Sequence, residues 1–193
     1  MSTTKNLRGF LPARKRGSGC NSTGFDELPI ASGDARSMFC GDLIKTSLGN
    51  VEPVSADADF ADGVFMGCHY VANGEPKYSK YWPANTSATD IKAFVDTSPS
   101  STYFIQADAS VSSGDINTVN FGLTLGTGST FTGQSGFGVK AATRNTTILP
   151  VRAIGVLDEP GNDITIAAER AFPVLEVRIV KHVDAKLSSP SGI

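Results

Sequence analysis

Residues 173–183 read PVLEVRIVKHV, and the fold turns on how they are read. Leu175, Val177 and Ile179 fall on one side of an extended chain while Glu176, Arg178 and His182 fall on the other, the alternation of a half-buried β-strand. Their apolar side is expected in a core. Upstream, TTILPVRAIGVL (residues 146–157) predicts a second strand, apolar on both faces around Ile154, Val156 and Leu157, as in a strand held between two layers. EPGND, Glu159 to Asp163, then reads as a turn.

The rest of the chain carries the same punctuation. It has 193 residues, 20 glycines and 10 prolines, many Ser and Thr, and few windows of helical periodicity, so an all-β fold is expected. Its form would be a compact β-barrel or β-sandwich of short antiparallel strands. At 40% apolar residues there is enough material for a real core. IKAFVDTSPSSTYFIQADA (91–109) predicts a hairpin about a Ser-Pro-Ser-Ser turn, with Tyr103, Ile105 and Ala107 on one face and Gln106 and Asp108 on the other, with one helical turn at ATDIKAF (88–94) as the alternative. GLTLGTGSTFTGQSGFGV (122–139) fits short strands joined by tight turns or an exposed glycine-rich loop. DITIAAERAF (163–172) is open between a helical turn at Ala167 to Glu169 and an edge strand at its start.

Charge is distributed unevenly. The formal net charge is only −2, yet residues 1–25 carry Lys5, Arg8, Arg14, Lys15 and Arg16 with no acid. From Asp26 to Asp62 eight acids meet only Arg36 and Lys45, so the two regions attract one another or opposite partners. The division expected is an extended basic N-terminal arm, residues 1–25, and a single β domain, residues 26–193. Gly9, Pro12, Gly17 and Gly19 keep the arm from forming a helix, and Leu7, Phe10 and Leu11 give it apolar anchors. No apolar run resembles a signal-peptide core or a membrane span, so a soluble chain without a membrane partner is expected. Cys20, Cys40 and Cys68 lack the close pairs of a zinc site or disulfide framework, which suits synthesis in a reducing cytoplasm.

The chain carries few residues in patterns that do chemistry. GTGSTFTG has no following Lys-Ser/Thr, no preceding parallel strand and no helix after it, so it does not read as a phosphate loop. No nucleophile elbow occurs. Cys68 and His69 are adjacent on a strand and so face opposite ways. Asp57, Asp59 and Asp62 are dense enough for a calcium loop, but they lack its sixth-position Gly and terminal Glu and read as an acidic surface loop. No enzyme, cofactor or metal is expected. The aromatic cluster Tyr78, Tyr81 and Trp82 can stack a sugar, anchor an interface or close one end of the fold.

The order of six blocks carries a resemblance: IASGDARSMFCGDLIK (30–45), GVFMGCHYV (63–71), YSKYWPA (78–84), FIQADA (104–109), STFTGQSG (129–136) and RAIGVLDEPGND (152–163). In this order the chain resembles the head-decoration, or cement, proteins of tailed bacteriophages, especially short-tailed aquatic ones. The resemblance implies a structural virion protein, made in the host cytoplasm and bound to the outer capsid surface. There it would hold neighbouring major capsid protein subunits together, as a homotrimer. Lys5, Leu7, Arg8, Phe10, Leu11, Arg14, Lys15 and Arg16 are then the expected capsid-contacting residues of the arm, and Tyr78, Tyr81 and Trp82 the expected interface aromatics. Two other classes compete. A β-sandwich carbohydrate- or receptor-binding virion module would use the three aromatics as its platform. A nucleic-acid binder would use the basic leader, but that leader offers only Phe10 for stacking, so no direct nucleic-acid contact is expected.

Overall fold

The computed structural model describes residues 4–15, 24–166 and 171–184. Its strands are β1 (Leu11–Lys15), β2 (Asp26–Leu28), β3 (Met38–Phe39), β4 (Leu43–Ser47), β5 (Asn50–Pro53), β6 (Gly63–Ala72), β7 (Glu75–Ser79), β8 (Tyr81–Trp82), β9 (Thr89–Asp96), β10 (Ser101–Gln106), β11 (Asn120–Thr124), β12 (Gly138–Asn145), β13 (Val151–Val156) and β14 (Val174–Ile179). One 3₁₀ turn, Ser113–Asp115, lies between β10 and β11, and among the described residues Val183 and Asp184 are also helical. All ladders between these strands are antiparallel.

The first sheet runs β1-β10-β14-β13-β11-β12 and the second β2-β9-β6-β4-β5, with β7 also on β6; β3 and β8 form a separate ribbon. Each sheet keeps its two edges, so the protein is a β-sandwich and the barrel alternative is not met. Leu175, Val177 and Ile179 of β14 are buried as the alternation requires, beside Tyr103, Ile105 and Ala107 of β10 and its extension. Leu43 of β4 and Val64 of β6 meet them from the opposite sheet.

The second sheet is covered on both faces. Ile44 and Phe65, next in sequence to Leu43 and Val64, turn the other way into a second core with Cys68, Tyr70, Val95, Met38 and Trp82. A bulge between Phe65 and Gly67 keeps Phe65 and Cys68 on one face although they stand an odd three positions apart. The β3–β8 ribbon closes this core, Trp82 standing edge-on to Tyr70 at 5.2 Å.

Three local expectations are corrected. Thr97–Ser100 does not close a hairpin: β9 lies in the second sheet between β6 and β2, β10 in the first between β1 and β14, so the turn is a corner from one sheet to the other. On β13 only Val151 and Ala153 are buried, because a register shift between Ala153 and Gly155 leaves Ile154 and Val156 half-exposed. His182 does not continue the outward face of β14; past the strand end it bridges to Ala61 and is buried. The turn at 159–163 is present, with the Asn162 N–H donating to the Glu159 carbonyl at 3.1 Å. Ala167–Glu169 lie outside the described residues.

Candidate interaction surface

Gly9 has φ +72°, and a Cβ there would sit 2.4 Å from both the Gly41 carbonyl oxygen and the Ser135 Cβ, so only glycine lets the leader pass this close to the body. The Gly9 N–H donates to Phe137 O at 3.0 Å, and the Phe10 N–H donates to Gly41 O at 2.9 Å. These bonds drop the Phe10 ring into the inter-sheet core at 0% exposure, edge-on to Tyr103 at 5.7 Å. Leu7 is half-buried over Gly138. On the near side Gln106 grips the chain: its Oε1 accepts the Asn6 N–H at 2.6 Å, and its Nε2 donates to Thr4 O at 3.1 Å and Phe172 O at 3.0 Å.

Beyond Phe10 the leader becomes edge strand β1 on β10. Arg14 reaches across the outer face of the first sheet to Glu176 of β14, donating through Nε at 2.7 Å and Nη2 at 2.6 Å. The Thr102 hydroxyl lies between them, within 2.9 Å of Glu176 Oε1 and 3.0 Å of Arg14 O. Glu176 is nearly buried, so this bidentate pair is what makes a carboxylate tolerable there. Lys15 lies 4.0 Å from Asp96.

The expected division into an extended arm, residues 1–25, and a separate β domain is therefore corrected over the described part of the arm. Residues 4–15 are a strand and strap of the sandwich, and of the three apolar anchors Phe10 is spent inside, Leu7 is half-buried and Leu11 stays at the surface. Phe10 is unavailable to a capsid. Lys5, Arg8, Leu11, Arg14 and Lys15 remain exposed, held on a fixed backbone. Arg16 lies outside the described residues, as do Gly17, Gly19 and Cys20. Alongside this segment a hollow of about 450 Å³ is lined by Leu11, Ile105, Leu157 and Val174 together with Arg8 and Glu159.

The aromatic platform is also corrected. Trp82 is fully buried, Tyr81 stacks on Phe39 at 5.6 Å, and only Tyr78 is open to solvent, its ring against His69 at 4.6 Å. In the two-residue ribbon the Met38–Trp82 pair faces the second core, and the Phe39–Tyr81 pair lies on the other side. The glycine-rich loop between β11 and β12 packs on this ribbon. Cys40 donates to Gly133 O and accepts from the Ser135 N–H, and a Cβ on Gly128 would lie 2.2 Å from the Phe39 ring. Phe131 at the loop's far end is almost wholly exposed.

The acids and histidines are spread over separate jobs. Asp57 accepts the Leu123 N–H at 2.7 Å; Asp59 accepts from Lys45 at 3.0 Å and from the N–H groups of Ser55 and Ala56; Asp62 accepts the Thr46 N–H. Each carboxylate pins a different stretch of backbone. Cys68 is buried, which pushes its thiol up to about 12, while His69 turns to the other face 3.9 Å from Asp90. Burial lowers the pKa of His182, whose Nδ1 accepts the Asp184 N–H at 3.2 Å. Among the described residues no three His, Cys, Asp or Glu side chains converge as a metal site.

Neither a family model, nor a curated protein, nor a solved structure matches this chain.

Asp42 belongs to no sequence motif and is nonetheless buried. It lies where leader, ribbon and glycine-rich loop meet, its Oδ2 accepting the Phe39 N–H at 2.7 Å and its Oδ1 buried without a partner. Burial pushes its carboxyl up to about 6, against the opposing pull of the Ser135 hydroxyl and the Phe39 N–H. The signal in sequence was an acid between apolar neighbours, FCGDLI (39–44). Because the folded state holds this proton more tightly than the unfolded chain, stability is greatest below the unfolded value near 4 and declines as pH rises through about 6. The difference is on the order of 2–3 kcal/mol. His182 works in the opposite sense, since a buried neutral imidazole loses stability as pH falls below its unfolded value. Comparison with Asp42→Asn cancels that contribution. Urea unfolding from pH 4.5 to 7.5 should show the wild type losing stability relative to Asp42→Asn as pH rises; parallel curves would remove the buried charge from the account.

Proposed function

We propose that this chain is a structural virion protein that binds the outer surface of a phage capsid and stabilises contacts between major capsid protein subunits. The order of the six sequence blocks supports this reading across most of the chain. The structural observation that carries it is the docked leader. A decoration protein must transmit force between subunits, and a basic segment welded to a two-core sandwich offers a stiffer handle than a solvated tail. Exposed Lys5 and Arg8 stand on backbone fixed by Gln106, Phe137 and Gly41. Many such modest contacts, repeated over a lattice of tethered copies, sum to firm attachment.

The competing glycan-binding reading needs an aromatic platform, and Trp82 and Tyr81 are committed to the ribbon instead.

The test is occupancy of undecorated heads by the wild type and by a Lys5→Glu/Arg8→Glu variant across a salt series. Exposed charges are screened within roughly 8 Å at physiological salt. Wild-type occupancy should fall as salt rises, and the variant should bind more weakly with a flatter dependence while unfolding at the same temperature. Equal occupancy and equal salt dependence would remove the leader from the contact.

A further inference from the structure

The leader and the Asp42 carboxyl share one small interface. Gly9 lies against Gly41, the residue before Asp42, and against Ser135, whose hydroxyl faces the Asp42 carboxyl. The Gly41 carbonyl also takes the Phe10 N–H. On the body side Asp42 is held by its own backbone: its N–H donates to Phe39 O at 2.8 Å and its carbonyl accepts the Phe65 N–H at 2.9 Å. The movable part of its cover is therefore the leader. Beneath that cover a carboxylate has the Phe39 N–H on Oδ2 and no donor on a buried Oδ1, so the charged form is poorly solvated where it stands. Among the described residues no cation offsets a charge there. The groups on the surrounding elements are Arg8 on the leader, exposed at the surface, Cys40, whose thiol burial holds protonated, and Lys80, which faces Cys40. Residues 125–137 of the glycine-rich loop carry no titratable side chain.

We propose that Asp42 is a proton-operated latch for the leader: with its proton on, the carboxyl stays shut beneath Gly9 and Ser135, and with the proton off it favours a leader lifted from Gly41, where water reaches the carboxylate. Docking of residues 8–10 and protonation of Asp42 are then two equilibria at one contact, and each biases the other by the same factor. Burial holds the docked carboxyl at about 6, and an uncovered one returns to the ordinary value near 4. The docked leader keeps its full advantage below about 4 and loses it as pH rises through about 6, so its opening constant should rise about 25-fold from pH 4.5 to 7.5. The latch rests on the leader's dock alone, whatever the protein binds.

The test is amide hydrogen exchange followed by NMR on the full chain, as wild type, Asp42→Asn and Gly9→Ala, with protection corrected for the intrinsic exchange rate at each pH. In the wild type at pH 7.5 the Gly9 and Phe10 amides should exchange faster than those of β14, the mark of an opening short of unfolding. Their protection should fall about 25-fold from pH 4.5 to 7.5, and in Asp42→Asn it should be level across that range. Gly9→Ala puts a Cβ where Gly41 O and Ser135 already stand, so its leader should be unprotected at both ends of the range. Carboxyl-carbon NMR should then find its Asp42 titrating near 4 instead of about 6. Gly9 and Phe10 amides as well protected as β14 at every pH would overturn the proposal, because the leader would not open apart from the body. A pH dependence that survives in Asp42→Asn would overturn it too, as would an Asp42 that still titrates near 6 beneath the lifted leader of Gly9→Ala. Should Gly9→Ala not fold, the Asp42→Asn comparison decides alone.

Discussion

Val177→Asp should leave no folded protein. Val177 is fully buried on β14, opposite Tyr103 on β10 and Ala153 on β13, at the centre of the inter-sheet core. An aspartate there must either bury an unpaired charge or be protonated at a cost, and either way the loss is several kcal/mol, of the same order as the roughly 5–15 kcal/mol that holds a domain folded. Arg178→Ala, one residue on, removes an exposed side chain from the outer face and should cost under about 0.5 kcal/mol. Circular dichroism and soluble yield separate the outcomes: collapse of the first with a normal second is expected, and equal damage would mean that the outer face is covered too.

Phe10→Ala should cost about 3–5 kcal/mol, the usual result of truncating a fully buried aromatic ring. The size of this effect is what distinguishes a strap from a tail, because a substitution in a solvated N-terminus stays within about 0.5 kcal/mol. Denaturant unfolding measures it. A near-zero change would detach residues 4–15 from the body and return the leader to the status of an arm. Deleting the leader outright is the poorer experiment, since it removes Phe10, β1 and the Arg14 partner of Glu176 together.

How much of this could be read before folding depends on the range over which each signal acts. The alternation in residues 173–183 is local, and β14 follows it as far as Ile179. The turn residues of 159–163 and the adjacent, opposite-facing Cys68 and His69 are local in the same way. Partner choice is not. Ser-Pro-Ser-Ser has the composition of a hairpin turn and of a corner between sheets alike, and only the pairing of β9 with β6 and of β10 with β14 separates them.

Phe10 and Trp82 fail for a related reason. An apolar residue in a basic leader, or an aromatic cluster between turns, shows that something will be covered without showing what covers it. Asp42 gave no motif because its interest lies in environment, an acid buried where three elements meet, which is not a property of spacing.

The central claim is that this chain belongs to the outside of a capsid, and the most direct measurement is its ratio to the major capsid protein in purified intact heads. The account predicts a fixed, reproducible ratio set by the lattice, with saturable rebinding at that ratio after the protein has been stripped from the surface. A chain absent from washed heads, or present at a ratio that varies from one preparation to the next, would contradict it.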